Sequence, residues 1–239
     1  MQYFLFGVLP YLAIMIMVVG SIVRYDRDPF TWKSKSSQLL RRRSFVLGSV
    51  LFHVGVILIF FGHLVGLLTP TAVFYALGVS SAVKQLLAVV LGGIAGTMAL
   101  VGGTILLVRR FGDPRIRATS SFGDNLVIVM LVAQVILGLG SIIPTLAHLN
   151  GSEMLKFVGW AQGIVYFQPG AADKIADVNW IYKAHILLGL AIFITFPFTR
   201  LVHMVSAPVR YLWRPGYQIV RSRRGAKAGP SGVGPVRGR

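Results

Sequence analysis

Residues 44–68 read SFVLGSVLFHVGVILIFFGHLVGLL, an unbroken apolar stretch with two histidines, His53 and His63, and no charged side chain. A helix needs roughly 20 apolar residues to cross a hydrocarbon core about 30 Å thick, so this stretch is long enough to span a membrane. Comparable stretches run over 4–23, 84–108, 125–146 and 180–205. The fold class is therefore an all-α membrane protein of five transmembrane helices. Of the 239 residues 55% are hydrophobic and 13% charged, with a mean hydropathy of +0.71. A soluble domain of that size needs far more charge to cover its surface. One polytopic domain is expected over 1–220, followed by a basic, Gly- and Pro-rich segment, 221–239, read as a disordered cytoplasmic tail.

The net charge of +17 suggests nucleic acid in a soluble chain, but here the cations sit between and after the apolar stretches. Arg24, Arg27, Lys33, Lys35, Arg41, Arg42 and Arg43 follow the first stretch, and Arg109, Arg110, Arg115 and Arg117 follow the third. If the helices alternate, these groups and the basic tail share one side with Arg200. Only Lys84, Lys156, Lys174 and Lys183 of the 24 Lys and Arg residues fall on the other. Cations in short loops stay cytoplasmic and favour anionic lipid, so the N-terminus is placed outside and the C-terminus in the cytoplasm. The first stretch, with no basic residue before Arg24, is read as a retained helix rather than a cleaved signal. In the outer segment 147–179, Ser152 is expected to cap a short helix along the interface, with Met154, Phe157, Val158 and Trp160 on its apolar face.

The chain has no cysteine, which excludes disulfides, Cys-ligated iron–sulfur clusters and covalently attached haem c. Ionisable groups inside spanning helices are costly and mark function. The second stretch carries His53 and His63, the fifth carries His185 and His203, and no Asp or Glu lies inside any stretch. The second helix runs outward and the fifth inward. His63 and His185 each lie about five residues from an outer end, so both sit roughly 8 Å deep and form a level pair. His53 and His203 remain as an inner pair, with a depth mismatch on the order of 10 Å on straight helices. Tilt, a bend at Pro197 or a misplaced boundary could close it. The eighteen residues between His185 and His203 make five α-helical turns, which would point both the same way.

Two facing imidazole pairs without thiolate or carboxylate suit two six-coordinate haems b with axial histidines. Gly48, Gly55, Gly62, Gly66 and Gly189 would let the rings approach the helices, and equally serve helix packing. The competing readings are hydrogen-bonded core histidines, a proton relay, or zinc, which wants four close ligands. His148, in the outer segment, is taken as an ordinary interface residue.

Several short runs, in this order, carry a family resemblance. They are Arg24-Tyr25-Asp26, Ser36-Ser37-Gln38, Leu51-Phe52-His53, Phe61-Gly62-His63, Leu68-Thr69-Pro70 and Val83-Lys84-Gln85. Arg115-Ile116-Arg117-Ala118-Thr119, Gly151-Ser152-Glu153-Met154, Val158-Gly159-Trp160-Ala161-Gln162 and Phe196-Pro197-Phe198-Thr199-Arg200-Leu201-Val202-His203 complete the series. The chain resembles the gamma, or cytochrome b, subunit of respiratory nitrate reductase over nearly its whole length. The resemblance implies that His63 and His185 hold the iron of the outer haem, and His53 and His203 that of the inner haem. It implies quinol oxidation near His63 and the outer haem, with Lys84 binding the quinone head. Electrons would pass inward to an iron–sulfur beta subunit and a molybdenum-containing alpha subunit that reduces nitrate to nitrite. The setting is anaerobic respiration at the bacterial inner membrane.

Lys84 opens the third helix on the outer side, where an ammonium can stabilise developing negative charge on a quinone carbonyl. It would otherwise be a snorkelling anchor. Arg200, one turn before His203, could pair a haem propionate. Arg109, Arg110, Arg115 and Arg117 could do the same, dock partner subunits, or anchor the membrane face. The alternatives are a dihaem quinol-linked subunit of another reductase and, in a different class, a transporter or passive membrane anchor. Gln134 is one of few midplane polar residues a transporter could use.

Overall fold

The computed structural model describes residues 1–32 and 42–206, apart from the Arg42 side chain. The run Ser36-Ser37-Gln38 and the expected tail 221–239 lie outside the described residues. Among those described, five helices are long and apolar enough to cross a membrane: Phe4–Arg27, Arg43–Leu68, Ser81–Gly112, Phe122–Leu146 and Trp180–Phe198.

A π-helical turn over Phe4–Val8 leads into α1 (Leu9–Arg27), with Pro10 just past the junction. Helix α2 (Arg42–Leu68) follows, and the short α3 (Thr71–Ala76) forms within the loop beyond it. Helix α4 (Ser81–Gly112) starts at Ser80, whose hydroxyl accepts from the Val83 amide at 3.3 Å. Asp113 accepts from the Arg115 amide and starts α5 (Pro114–Ala118). Ser121 and Asp124 form a reciprocal capping box on α6 (Phe122–Gly140), and α7 (Ile142–Leu146) carries on past Ser141.

Helix α8 (Ser152–Val165) is the helix expected in the outer segment, but its cap differs. Gly151 stands at the cap with φ +85°, and Asn150 Oδ1 accepts from both the amide and hydroxyl of Ser152. A side chain at residue 151 would suffer that φ and also collide with the Ser81 backbone 2.6 Å away. Rather than only lying on an interface, α8 buries Val158, Ala161 and Ile164. Gln162 Nε2 donates to the carbonyls of Leu67 and Thr69, receiving the end of α2.

The last span departs from the single helix expected over 180–205. Helix α9 covers Trp180–Thr195, started by the Asn179 side chain, and 3₁₀ turns follow over Phe196–Phe198 and Arg200–Ser206. Pro197 is the reason, because it has no N–H and its ring obstructs the preceding turn. Carbonyls freed in a membrane-buried break need other donors, and α1 supplies them. Arg24 Nη1 donates to Pro197 O at 2.7 Å and to Thr199 O at 2.8 Å. Gly20 makes the approach possible, since a Cβ there would stand 2.8 Å from Pro197 Cγ.

Helix α2 lies closely along α4, while α9 packs on α1 and α6. The α2–α4 seam is glycine-built. A Cβ on Gly55 would stand 2.6 Å from Ala95 O, and one on Gly102 would collide with Phe52 N. Small residues let backbones approach this closely where lipid gives helices no hydrophobic reason to associate. Gly48 belongs to the same seam, whereas Gly62 and Gly66 face open space.

Candidate functional site

Although α2 rests on α4 and α9 on α1 and α6, the two imidazoles of α2 meet one from α9 and one from the 3₁₀ turn beyond it. The His63 and His185 rings have centroids 6.2 Å apart, and the His53 and His203 rings 6.3 Å apart. With about 2 Å from nitrogen to metal and about 1 Å from nitrogen to ring centre, two imidazoles on opposite sides of one iron stand about 6 Å apart. Either pair could therefore hold one iron between its two imidazoles.

Hydrogen bonds on the other nitrogen agree with that use. His53 Nδ1 bonds Ser49 O at 2.7 Å, His63 Nδ1 bonds Ile59 O at 2.8 Å, and His203 Nδ1 bonds Arg200 O at 2.5 Å. A ring whose Nδ1–H is committed to a carbonyl has its Nε2 lone pair available to a metal. His185 differs, since its Nδ1 is buried without a hydrogen-bond partner among the described residues. Gln134 adjoins it, donating to His185 O at 3.1 Å with its amide nitrogen 3.4 Å from His185 Nε2. Gly138 leaves this ring room, because a Cβ there would stand 3.0 Å from His185 Cε1. Gln134 thus belongs to the surroundings of the outer pair rather than to a transport path.

Among the described residues no three His, Cys, Asp or Glu side chains cluster closely enough to hold a metal. The four histidines come together as two pairs rather than as one set of four. The break after Thr195 also resolves the expected depth mismatch of the inner pair. The 3₁₀ turn carrying His203 is not constrained to continue the axis of α9, so five uniform turns between His185 and His203 do not apply. The residues fit two bis-histidine haems.

Lys84 lies in the first turn of α4 and is 6% exposed. Its ammonium stands 4.0 Å above the centre of the Phe74 ring in α3. Gln85 beside it is buried and donates to His148 O at 2.6 Å, tying α4 to the loop between α7 and α8. Lys84 is therefore held against the protein rather than extended into solvent.

On the cytoplasmic-expected side Arg200 has a partner absent from the sequence reading. Its Nε lies 3.0 Å from Asp124 Oδ1, while Arg110 Nη1 lies 3.9 Å from Asp124 Oδ2. Asp124 falls inside the spanning helix, which begins at Phe122 rather than at 125. The expectation that no carboxylate enters a span therefore fails at this residue. The spacing Ser121-x-x-Asp124, a capping-box pattern, was the signal that could have located it.

A helical protein with five candidate membrane spans and two facing histidine pairs is the class this geometry defines. The nitrate reductase gamma subunit model matches residues 2–223, and the chain belongs to that family. It is 47% identical to the respiratory nitrate reductase 2 gamma chain of Escherichia coli, over 92% of this chain and 97% of that one. It is 44% identical to the respiratory nitrate reductase 1 gamma chain of the same organism, with the same coverage. The nitrate reductase gamma chain of Bacillus subtilis is 38% identical, again over 92% and 97%.

Proposed function

We propose that this chain oxidises quinol near the outer face of a bacterial inner membrane and carries the electrons inward for nitrate reduction. The observation that carries the reading is the pair of imidazole contacts at 6.2 and 6.3 Å. His63 and His185 would hold the outer haem b, and His53 and His203 the inner one. Bound there, the two haems would supply one-electron carriers in line across the bilayer.

The chain's own residues set the terms of that chemistry. Lys84 presents a fixed cation at the start of α4, where it would hydrogen-bond a quinol oxygen and stabilise negative charge as protons leave. The Phe74 ring orients that ammonium. The backbone carbonyls of Ser49, Ile59 and Arg200 hold three imidazoles in one tautomer. The distribution of cations supports an outer N-terminus and a cytoplasmic basic face, where an iron–sulfur beta subunit and a molybdenum-containing alpha subunit would receive the electrons.

The deciding experiment is a reduced-minus-oxidised visible spectrum of the purified protein, with haem counted per chain and a quinol as reductant. Two haems b reducible by quinol are expected. A well-folded preparation lacking haem would remove the function and leave the helical bundle.

A further inference from the structure

We propose that Asp124 is a positioning residue for the inner-haem ligand His203 and acts through Arg200. The inference rests on the reading of His203 as that ligand. His203 lies on a 3₁₀ turn, Arg200–Ser206, beyond the break at Pro197. The α-helical hydrogen-bond ladder does not continue into this turn, so its position depends on whatever grips its start.

Two grips are visible. Arg24 of α1 takes the carbonyls of Pro197 and Thr199. Asp124 of α6, 4% exposed, takes Arg200 through the 3.0 Å contact between Oδ1 and Nε. A carboxylate this buried persists only where donors and cations compensate it. Its other oxygen accepts from the Ser121 amide at 3.1 Å and faces Arg110, which in turn donates to Ser120 Oγ at 3.1 Å. Asp124 thus joins α4, α6 and the broken end of α9.

Arg200 is also the residue whose carbonyl receives His203 Nδ1. One residue therefore links the carboxylate to the imidazole through two contacts. Partners of this kind orient a ligating ring and set its basicity. Neutralising Asp124 removes a nearby negative charge and releases Arg200, and both changes favour the reduced iron.

The test is a potentiometric titration, with low-spin EPR, of membranes containing the full chain. Asp124→Asn keeps the side-chain size and an acceptor for the Ser121 amide. It is expected to retain two haems per chain and to raise the inner-haem reduction equilibrium about tenfold, ~59 mV for one electron. The inner EPR signal should change and the outer should not. Asp124→Glu should return the potential partway. Ser121→Ala, which removes a helix cap but leaves the pair with Arg200, should keep the parent potential while lowering thermal stability.

An unchanged inner haem in Asp124→Asn, or equal shifts in both haems, overturns the proposal. If the Asn variant does not assemble, the Glu variant decides, because it keeps the charge but moves Arg200; an inner signal identical to the parent overturns the proposal there too. A His203→Ala variant that kept its inner haem would instead remove the ligand assignment, whatever Asp124 does.

Discussion

His63 and His185 come from helices that each pack on other partners, yet their rings stand 6.2 Å apart. Substituting either by Ala should remove the outer haem, leave one haem per chain, and abolish reduction by quinol. The pyridine haemochrome content of purified variants checks this. A variant with both haems and full quinol-linked activity would show that the pair is not the ligand set.

Lys84 and Phe74 form a second checkable unit. Lys84→Ala should weaken binding of quinol or a quinol analogue with haem content unchanged. Phe74→Leu removes a cation–π contact of about 0.5–2 kcal/mol and should raise the quinol KM severalfold with a smaller change in kcat. If neither variant alters KM, Lys84 is only an anchor of the outer membrane surface.

The α2–α4 seam predicts contrasting glycine variants. At Gly55 a Cβ meets backbone atoms at 2.6 Å, so Gly55→Ala should destabilise by about 1–3 kcal/mol. Gly92 has no heavy atom within 4 Å of an added Cβ, so Gly92→Ala should be neutral or slightly stabilising through its helix preference. Thermal unfolding of both variants in the same detergent separates the two cases.

On α8, Lys156 Nζ lies 2.7 Å from Asp177 Oδ2 and 3.0 Å from Glu153 Oε1. The hydrogen bond from Lys156 holds the Asp177 carboxyl below its ordinary range, and the Asp177 and Glu153 bonds raise the lysine. Stability from Asp177 is therefore present above its unfolded pKa, about 3.9, and lost as pH falls through the lower folded value. Stability from Lys156 is present below its unfolded pKa, about 10.4, and lost as pH rises through the higher folded value. The tie should hold across neutral pH. Protection factors of amides in 166–179, corrected for the pH dependence of intrinsic exchange, should stay constant from about pH 5 to 9 and fall below about pH 4. Asp177→Asn should remove the acid-side change, and only a small effect is expected because the pair is exposed and screened.

The five spans, the charge bias and the two-by-two histidine pattern were legible in the sequence. Hydropathy over consecutive residues needs no partner to be read, and histidine is rare enough in a span to stand out. The pairing of His63 with His185 followed from helix direction alone. Other features were decided only by tertiary structure. Pro197 marked a possible bend, but the direction of the turn after it depends on Gly20 and Arg24 of another helix. Gly55 and Gly62 look alike along the chain, yet one meets α4 and the other meets open space. Asp124 and Arg200 lie on different helices, and no local pattern links them. Their pairing exists only because docking α9 against α6 makes a buried charge tolerable where the chain alone would make it costly.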